Sequence, residues 1–208
     1  MTRLRWVRAA PAIIVAATAG RAAIAQRVVP HPRLIVLADM EADPDDTQSL
    51  IRLLLYTNEI NLERLVATTS VHQKTRLAPE SISRLIGEYK KVRPNLARHD
   101  PAYPTAEALL RIVDTGQPGY GMAAIGRGKD SPGSRRIIAA LDRRDDRPLW
   151  IGGWGGPNTL AQALLTLRAT RTPADLKRLI AKLRVYTISD QDDTGPWIRR
   201  EFPDLFYE

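Results

Sequence analysis

Beyond residue 33 the apolar positions alternate between two spacings. The run Leu34-Ile35-Val36-Leu37 inside 33–39 is nearly unbroken, which predicts a strand buried on both faces. Over 46–57, Leu50, Leu53 and Leu54 recur at helical spacing and predict an amphipathic helix. A second strand is predicted over 63–69, ending in Thr68-Thr69-Ser70, then a helix over 79–92 with Pro79 in its first turn. Residues 94–104 read as loop and 105–113 as a short helix. The stretch 116–133 holds six of the thirteen glycines and two prolines, the composition of a long exposed loop. A helix over 134–141, a charged turn over 142–147 and a strand over 148–151 lead into the glycine-rich turn 152–156. Helices over 158–167 and 173–183, a strand over 184–189, an acidic turn over 190–193 and a short helix over 196–201 complete the pattern. Such alternation predicts an α/β, Rossmann-like fold: a mostly parallel sheet with helices on both faces.

Composition adds an address. The chain has 208 residues, 44% of them hydrophobic and 26% charged, which suits one domain with a substantial core and no need of disulfides. Of the net +8, four charges come from Arg3, Arg5, Arg8 and Arg21, which no acid accompanies, so residues beyond 25 carry +4. The basic start, the apolar 9–17 and the small-x-small site Ala23-Ile24-Ala25 before Gln26 predict a signal peptide over 1–25, cleaved after Ala25. That implies a secreted or periplasmic domain over 26–208. The apolar stretch is too short to span a membrane, so no membrane partner is expected beyond the leader. No basic stripe interleaved with aromatics is present, so a nucleic-acid partner is not expected either.

The candidate chemistry sits between the first strand and the first helix. Asp39, Glu41, Asp43, Asp45 and Asp46 place five carboxylates in eight residues. Anions so crowded repel one another unless a cation or hydrogen-bond donors compensate them, and a hard divalent ion such as Ca²⁺ is the economical choice. Asp45 and Asp46 also suit a solvated helix start. Asp39 and Glu41, two apart on a continuing strand, would share one side of it. In a parallel sheet this cluster, the turn Gly152 to Gly156 and the acidic turn Asp190-Gln191-Asp192-Asp193 converge on one rim. Glycines there leave backbone carbonyls open to a ligand. Asn158 suits either a helix cap or a ligand contact, Trp154 either core or a stacking platform for a sugar, and His72 either pocket or surface. His31 and His99 read as surface. No zinc-ligand spacing and no phosphate-cradling loop is present.

These segments resemble the nucleoside hydrolase family, which carries Asp-x-Asp-Pro-Gly-x-Asp-Asp after its first strand. Here Asp39-Met40-Glu41-Ala42-Asp43-Pro44-Asp45-Asp46 stands at that spacing. Thr68-Thr69 is similar to the family's Thr-Thr, and Gly155-Gly156-Pro157-Asn158-Thr159-Leu160-Ala161 to its Gly-Gly-x-Thr-Asn-x-Ala. The longer segments resemble one branch, the nucleoside hydrolase-like domain of secreted bacterial proteins described as cellulose-binding, over residues 33–208. By position, the resemblance implies a Ca²⁺ site drawing on Asp39, Glu41, Asp45, Asp46 and the Trp154 carbonyl, with Glu41 as general base. Asp45, His72, Asn158, Asp190, Asp192 and Asp193 would meet substrate. The implied reaction is water attack at an anomeric carbon, breaking an N-glycosidic or related bond. The implied ligand is a sugar, a nucleoside or a polysaccharide. A carbohydrate-binding domain that keeps the metal–diol site without turnover is the alternative, and a homo-oligomer stays open. Three departures stand out, the first being Ala42-Asp43 in place of the family's Pro-Gly, with Pro44 one position later. Glu41 replaces the family's Asp and is longer by about 1.5 Å, one C–C bond. The family's further metal-binding Asp and its His fall beyond Glu208, so the site is expected to be incomplete at the C-terminal end.

Overall fold

The Leu34–Leu37 run lies where a doubly buried strand belongs, at the centre of the sheet. A computed structural model describes residues 30–208; the predicted leader and its cleavage site lie outside the described residues. In chain order the elements are β1 (Arg33–Ala38), α1 (Asp45–Leu54), β2 (Asn61–Ala67), α2 (Pro79–His99), α3 (Ala106–Leu110) and β3 (Val113–Thr115). A 3-10 turn (Gly121–Ala124) precedes α4 (Pro132–Asp142), β4 (Leu149–Gly153), α5 (Asn158–Thr170), α6 (Pro173–Lys182), β5 (Leu183–Thr187), α7 (Thr194–Glu201) and β6 (Phe206–Tyr207). All five strand pairings are parallel, in the order β3-β2-β1-β4-β5-β6. The chain steps outward from β1 through β2 to β3, then returns to β1's other side at β4. Between the carboxyl ends of β1 and β4 the order reverses, the place where open α/β sheets bind ligands.

Two cores sandwich the sheet. Ile35 and Leu37 of β1 join Ile151, Val185 and residues of α4 to α7 on one face. Val36 and Ala38 join Leu50, Leu54, Ile82, Ile86 and Leu109 of α1 to α3 on the other. This second group of helices reaches only β1 to β3, so one face of β4 to β6 has no helix over it among the described residues. No described helix is long and apolar enough to cross a membrane.

Several predicted boundaries are corrected. Residues 94–99, predicted as loop, belong to α2 despite Pro94. Pro94 is exposed, so its ring lies on the solvent side of the helix, where the hydrogen bond it removes costs least. The predicted helix over 105–113 ends at Leu110, because Ile112 and Val113 turn to edge pairing, with Leu65 N donating to Ile112 O at 2.9 Å. β3 and β6, three and two residues long, were not predicted, being too short to show a period. Most consequentially, β1 stops at Ala38. Ala42 N donates to Asp39 O at 2.9 Å and closes a turn, and Glu41 takes a left-handed φ of 77°. The prediction that Asp39 and Glu41 share a strand face therefore fails.

Candidate functional site

The acidic motif divides into three parts that face different surroundings. Asp39, just past β1, is 4% exposed and Asp46, in the first turn of α1, is 3% exposed. Removal from water, then the charges of Asp39 and Asp45, push the Asp46 carboxyl up to about 8. Asp46 Oδ2 has no hydrogen-bond partner. Asp43 and Asp45 form a second, exposed pair: Asp45 N donates to Asp43 Oδ1 at 3.1 Å, and the shared contact lowers Asp43 while raising Asp45.

Glu41 stands apart from both pairs. Its left-handed backbone aims the side chain at α2, where it accepts from Ser81 Oγ and meets Arg76 at 2.7 Å and Arg84 at 3.9 Å. The Ser81 bond and the two guanidiniums lower its pKa, which makes it a weaker base. Sequence reading missed these partners because they lie at least 35 residues along the chain.

The glycine turn closes the crevice from the β4 side. Trp154 N and Gly155 N donate to Leu37 O at 2.8 and 3.1 Å, laying this turn against the end of β1. A Cβ on Gly155 would stand 2.8 Å from Asp39 Cβ, and one on Gly156 would stand 2.7 Å from Thr69 O, so only glycine permits the approach. The Trp154 carbonyl, expected to be free for a metal, accepts from Gln191 Nε2 at 2.6 Å. The Trp154 indole is half-buried at the edge of the second core. Gln191, which sequence reading passed over among its acidic neighbours, leaves its own Oε1 buried without a partner.

The remaining predicted residues are spread over the rim and the structure beneath it. His72 is exposed beside Asp43. Asn158 is fully buried; its Nδ2 donates to Gly119 O at 2.8 Å and Thr69 Oγ1 at 3.1 Å, while its Oδ1 accepts from Thr68 Oγ1 at 3.3 Å. It braces the loops after β2 and β3 and does not cap α5. That task falls to Asp192, whose Oδ2 accepts from Asn158 N at 3.1 Å while its Oδ1 accepts from Thr194 N at 2.8 Å at the start of α7. Asp190 is forked by Arg199 at 2.8 and 2.6 Å, and Asp193 accepts from Met122 N at 2.7 Å. Because Asp192 caps two helices at once, Asp192→Ala is expected to cost about 2 kcal/mol, two caps at roughly 1 kcal/mol each. Urea unfolding measures it; an unchanged midpoint would refute the double cap.

Among the described residues, no group of three or more His, Cys, Asp or Glu side chains is arranged to hold a metal ion. The fit to Ca²⁺ is thus partial. Of the predicted ligands only Asp39 and Asp46 are buried together, and the unpartnered Asp46 Oδ2 is the atom a cation would satisfy. Glu41 and the Trp154 carbonyl are engaged elsewhere.

The family model described as "Cellulose-binding Sde182, nucleoside hydrolase-like domain" matches residues 33–208. A solved structure from Saccharophagus degradans, described as a nucleoside hydrolase-related hypothetical protein associated with carbohydrate metabolism, is similar at TM-score 0.82 and 45% identity. The match covers 84% of this chain and 43% of that one, so the chain spans less than half of the relative's length. Comparison with curated proteins gives no match.

Proposed function

The chain belongs to the nucleoside hydrolase-like domain family of cellulose-binding Sde182, and from that premise we propose that it is an exported carbohydrate-binding domain whose crevice between β1 and β4 takes a sugar diol. The observation that carries this reading is the buried Asp39–Asp46 pair with its unpartnered oxygen at the switch point of the sheet. A carboxyl pushed up to about 8 beside a second buried carboxyl offers both an O–H donor and several acceptors at neutral pH. Vicinal hydroxyls, each donor and acceptor, complement that set. A cation meeting the Asp39 and Asp46 carboxyls would polarise such hydroxyls and acidify a coordinated water. Glu41, clamped by Ser81 and Arg76, is poorly placed to take a proton from that water, which favours binding over turnover. The leader proposed over 1–25 supplies the export.

The second reading, Ca²⁺-dependent hydrolysis of an N-glycosyl bond, draws on the same unpartnered Asp46 oxygen. Calorimetric titration with ribose, glucose and cellobiose, with and without Ca²⁺, separates the two. Binding that weakens at least about tenfold in Asp39→Asn, a loss of roughly 1.4 kcal/mol, is expected, with no release of p-nitrophenol from its riboside. Turnover of that riboside abolished by Asp46→Ala would replace binding with hydrolysis. Absence of any saccharide heat would remove both.

A further inference from the structure

The bare face of β4 to β6 carries a concentration of aromatic side chains. Strand register sets Leu34, Trp150, Arg184 and Phe206 side by side on four adjacent strands, and the next rung on that face is Val36, Gly152 and Tyr186. Between the rungs lies a groove of about 400 Å³, walled by Leu34, Ile60, Trp150, Trp154 and Tyr186. Gly152 is its floor: a Cβ there would meet Trp154 Nε1 at 3.6 Å and Leu34 Cδ1 at 3.7 Å. Tyr186 is 55% exposed and Phe206 40%. The chain has only four tryptophans and two phenylalanines, and two and one of these respectively gather here. Contiguous apolar surface of this kind marks an interaction site.

The chemistry of the face narrows its occupant. Arg184 is the one charged side chain on the two rungs, and its guanidinium lies over the Phe206 ring, 5.5 Å from the centroid. The face thus offers little to an anionic polymer. It offers ring faces for apolar C–H surface, and the Trp N–H and Tyr O–H as polar handles. A β-linked glucan matches, since its all-equatorial hydroxyls leave both faces of each sugar ring lined with C–H. Trp150 and Phe206 stand edge to face, 6.1 Å apart at 77°, so a flat crystalline surface cannot meet both rings. A single twisted strand can. Trp154 links the groove to the crevice: its indole leans over Gly152, and its backbone N–H donates to Leu37 O at 2.8 Å, two residues before Asp39.

We propose that this groove is a glycan subsite that takes one neutral β-glucan strand along the sheet face towards the Asp39–Asp46 crevice. The inference rests on the carbohydrate-binding reading above. The test is affinity electrophoresis of the purified chain in hydroxyethylcellulose gels, with calorimetry against cellohexaose. Tyr186→Ala and Trp150→Ala are each expected to weaken binding about tenfold or more, and Tyr186→Phe to keep most of it. Circular dichroism checks that the variants fold, and Phe206→Ala on the neighbouring strand serves as a further probe of the face. Wild-type affinity in Tyr186→Ala and Phe206→Ala overturns the proposal. So does a wild-type dimer in sedimentation that Tyr186→Ala splits, since a second copy of the chain would then be the occupant. Binding of glucose that is lost in Asp39→Asn, without binding of cellohexaose, overturns the groove and leaves the crevice standing. Failure to bind either sugar overturns both.

Discussion

Asp46→Asn is expected to stabilise the protein at pH 8.5 by several kcal/mol and to flatten its dependence of stability on pH. In the native state the Asp46 carboxyl is pushed up to about 8, against 3.8 for the unperturbed group, by burial and then by Asp39 and Asp45. The folded protein therefore holds this proton more tightly than the unfolded chain does. Stability contributed by the neutral acid is intact below about pH 4 and is lost as pH rises towards 8. A shift of about four units at 1.36 kcal/mol each sets a ceiling of about 5 kcal/mol. Asparagine keeps the shape of the protonated acid and cannot ionise. Urea unfolding of both proteins at pH 5 and pH 8.5 decides the matter: the wild type should lose stability between the two and the variant much less. Parallel pH profiles would mean that the pair is not buried as described.

Arg33→Met is the other large effect, at the opposite end of the sheet. Arg33 is fully buried at the start of β1, its Nε 2.6 Å from Glu63 Oε1 and its Nη2 2.7 Å from the Ala140 carbonyl. Asp145 lies 3.5 Å away, and Arg143 reaches Glu63 from the exposed side. Removing one partner of a buried pair leaves the other charged and poorly solvated, at about 3–5 kcal/mol. For a domain of this size that lowers Tm by roughly 10 °C. Arg33→Met with Glu63→Leu should recover much of the loss, since neither charge is then stranded. A single variant that melts within about 2 °C of wild type would show that Arg143 alone satisfies Glu63.

The pairing of Asp39 with Asp46 was within reach of the sequence. A strand, a short turn and a helix start bring residues seven apart to the same rim through local geometry alone. Glu41 was not legible in the same way. Its direction depends on a left-handed backbone and on Ser81, Arg76 and Arg84, which only the docking of α2 brings near. The acids of the last turn illustrate the same limit. Asp190, Asp192 and Asp193 read as free ligands, yet Arg199, two helix starts and the Met122 N–H absorb them. A helix start at Asn158 is visible in the sequence; that its cap comes from 34 residues downstream is not. β3 and β6 escaped because two or three residues carry no period, and their hydrogen bonds come from neighbours already in place.

By itself, then, the chain's sequence determined the alternating layers, the central buried strand and an acidic rim beside a glycine turn. Periodic burial is written residue by residue, with a repeat of about 2 in strands and 3.6 in helices. Only the tertiary structure decided which carboxylates face one another, which are neutralised by arginines, and which face of the sheet has no helix over it among the described residues. Loop side chains and their ionisation answer to partners distant in sequence, and no local repeat encodes those.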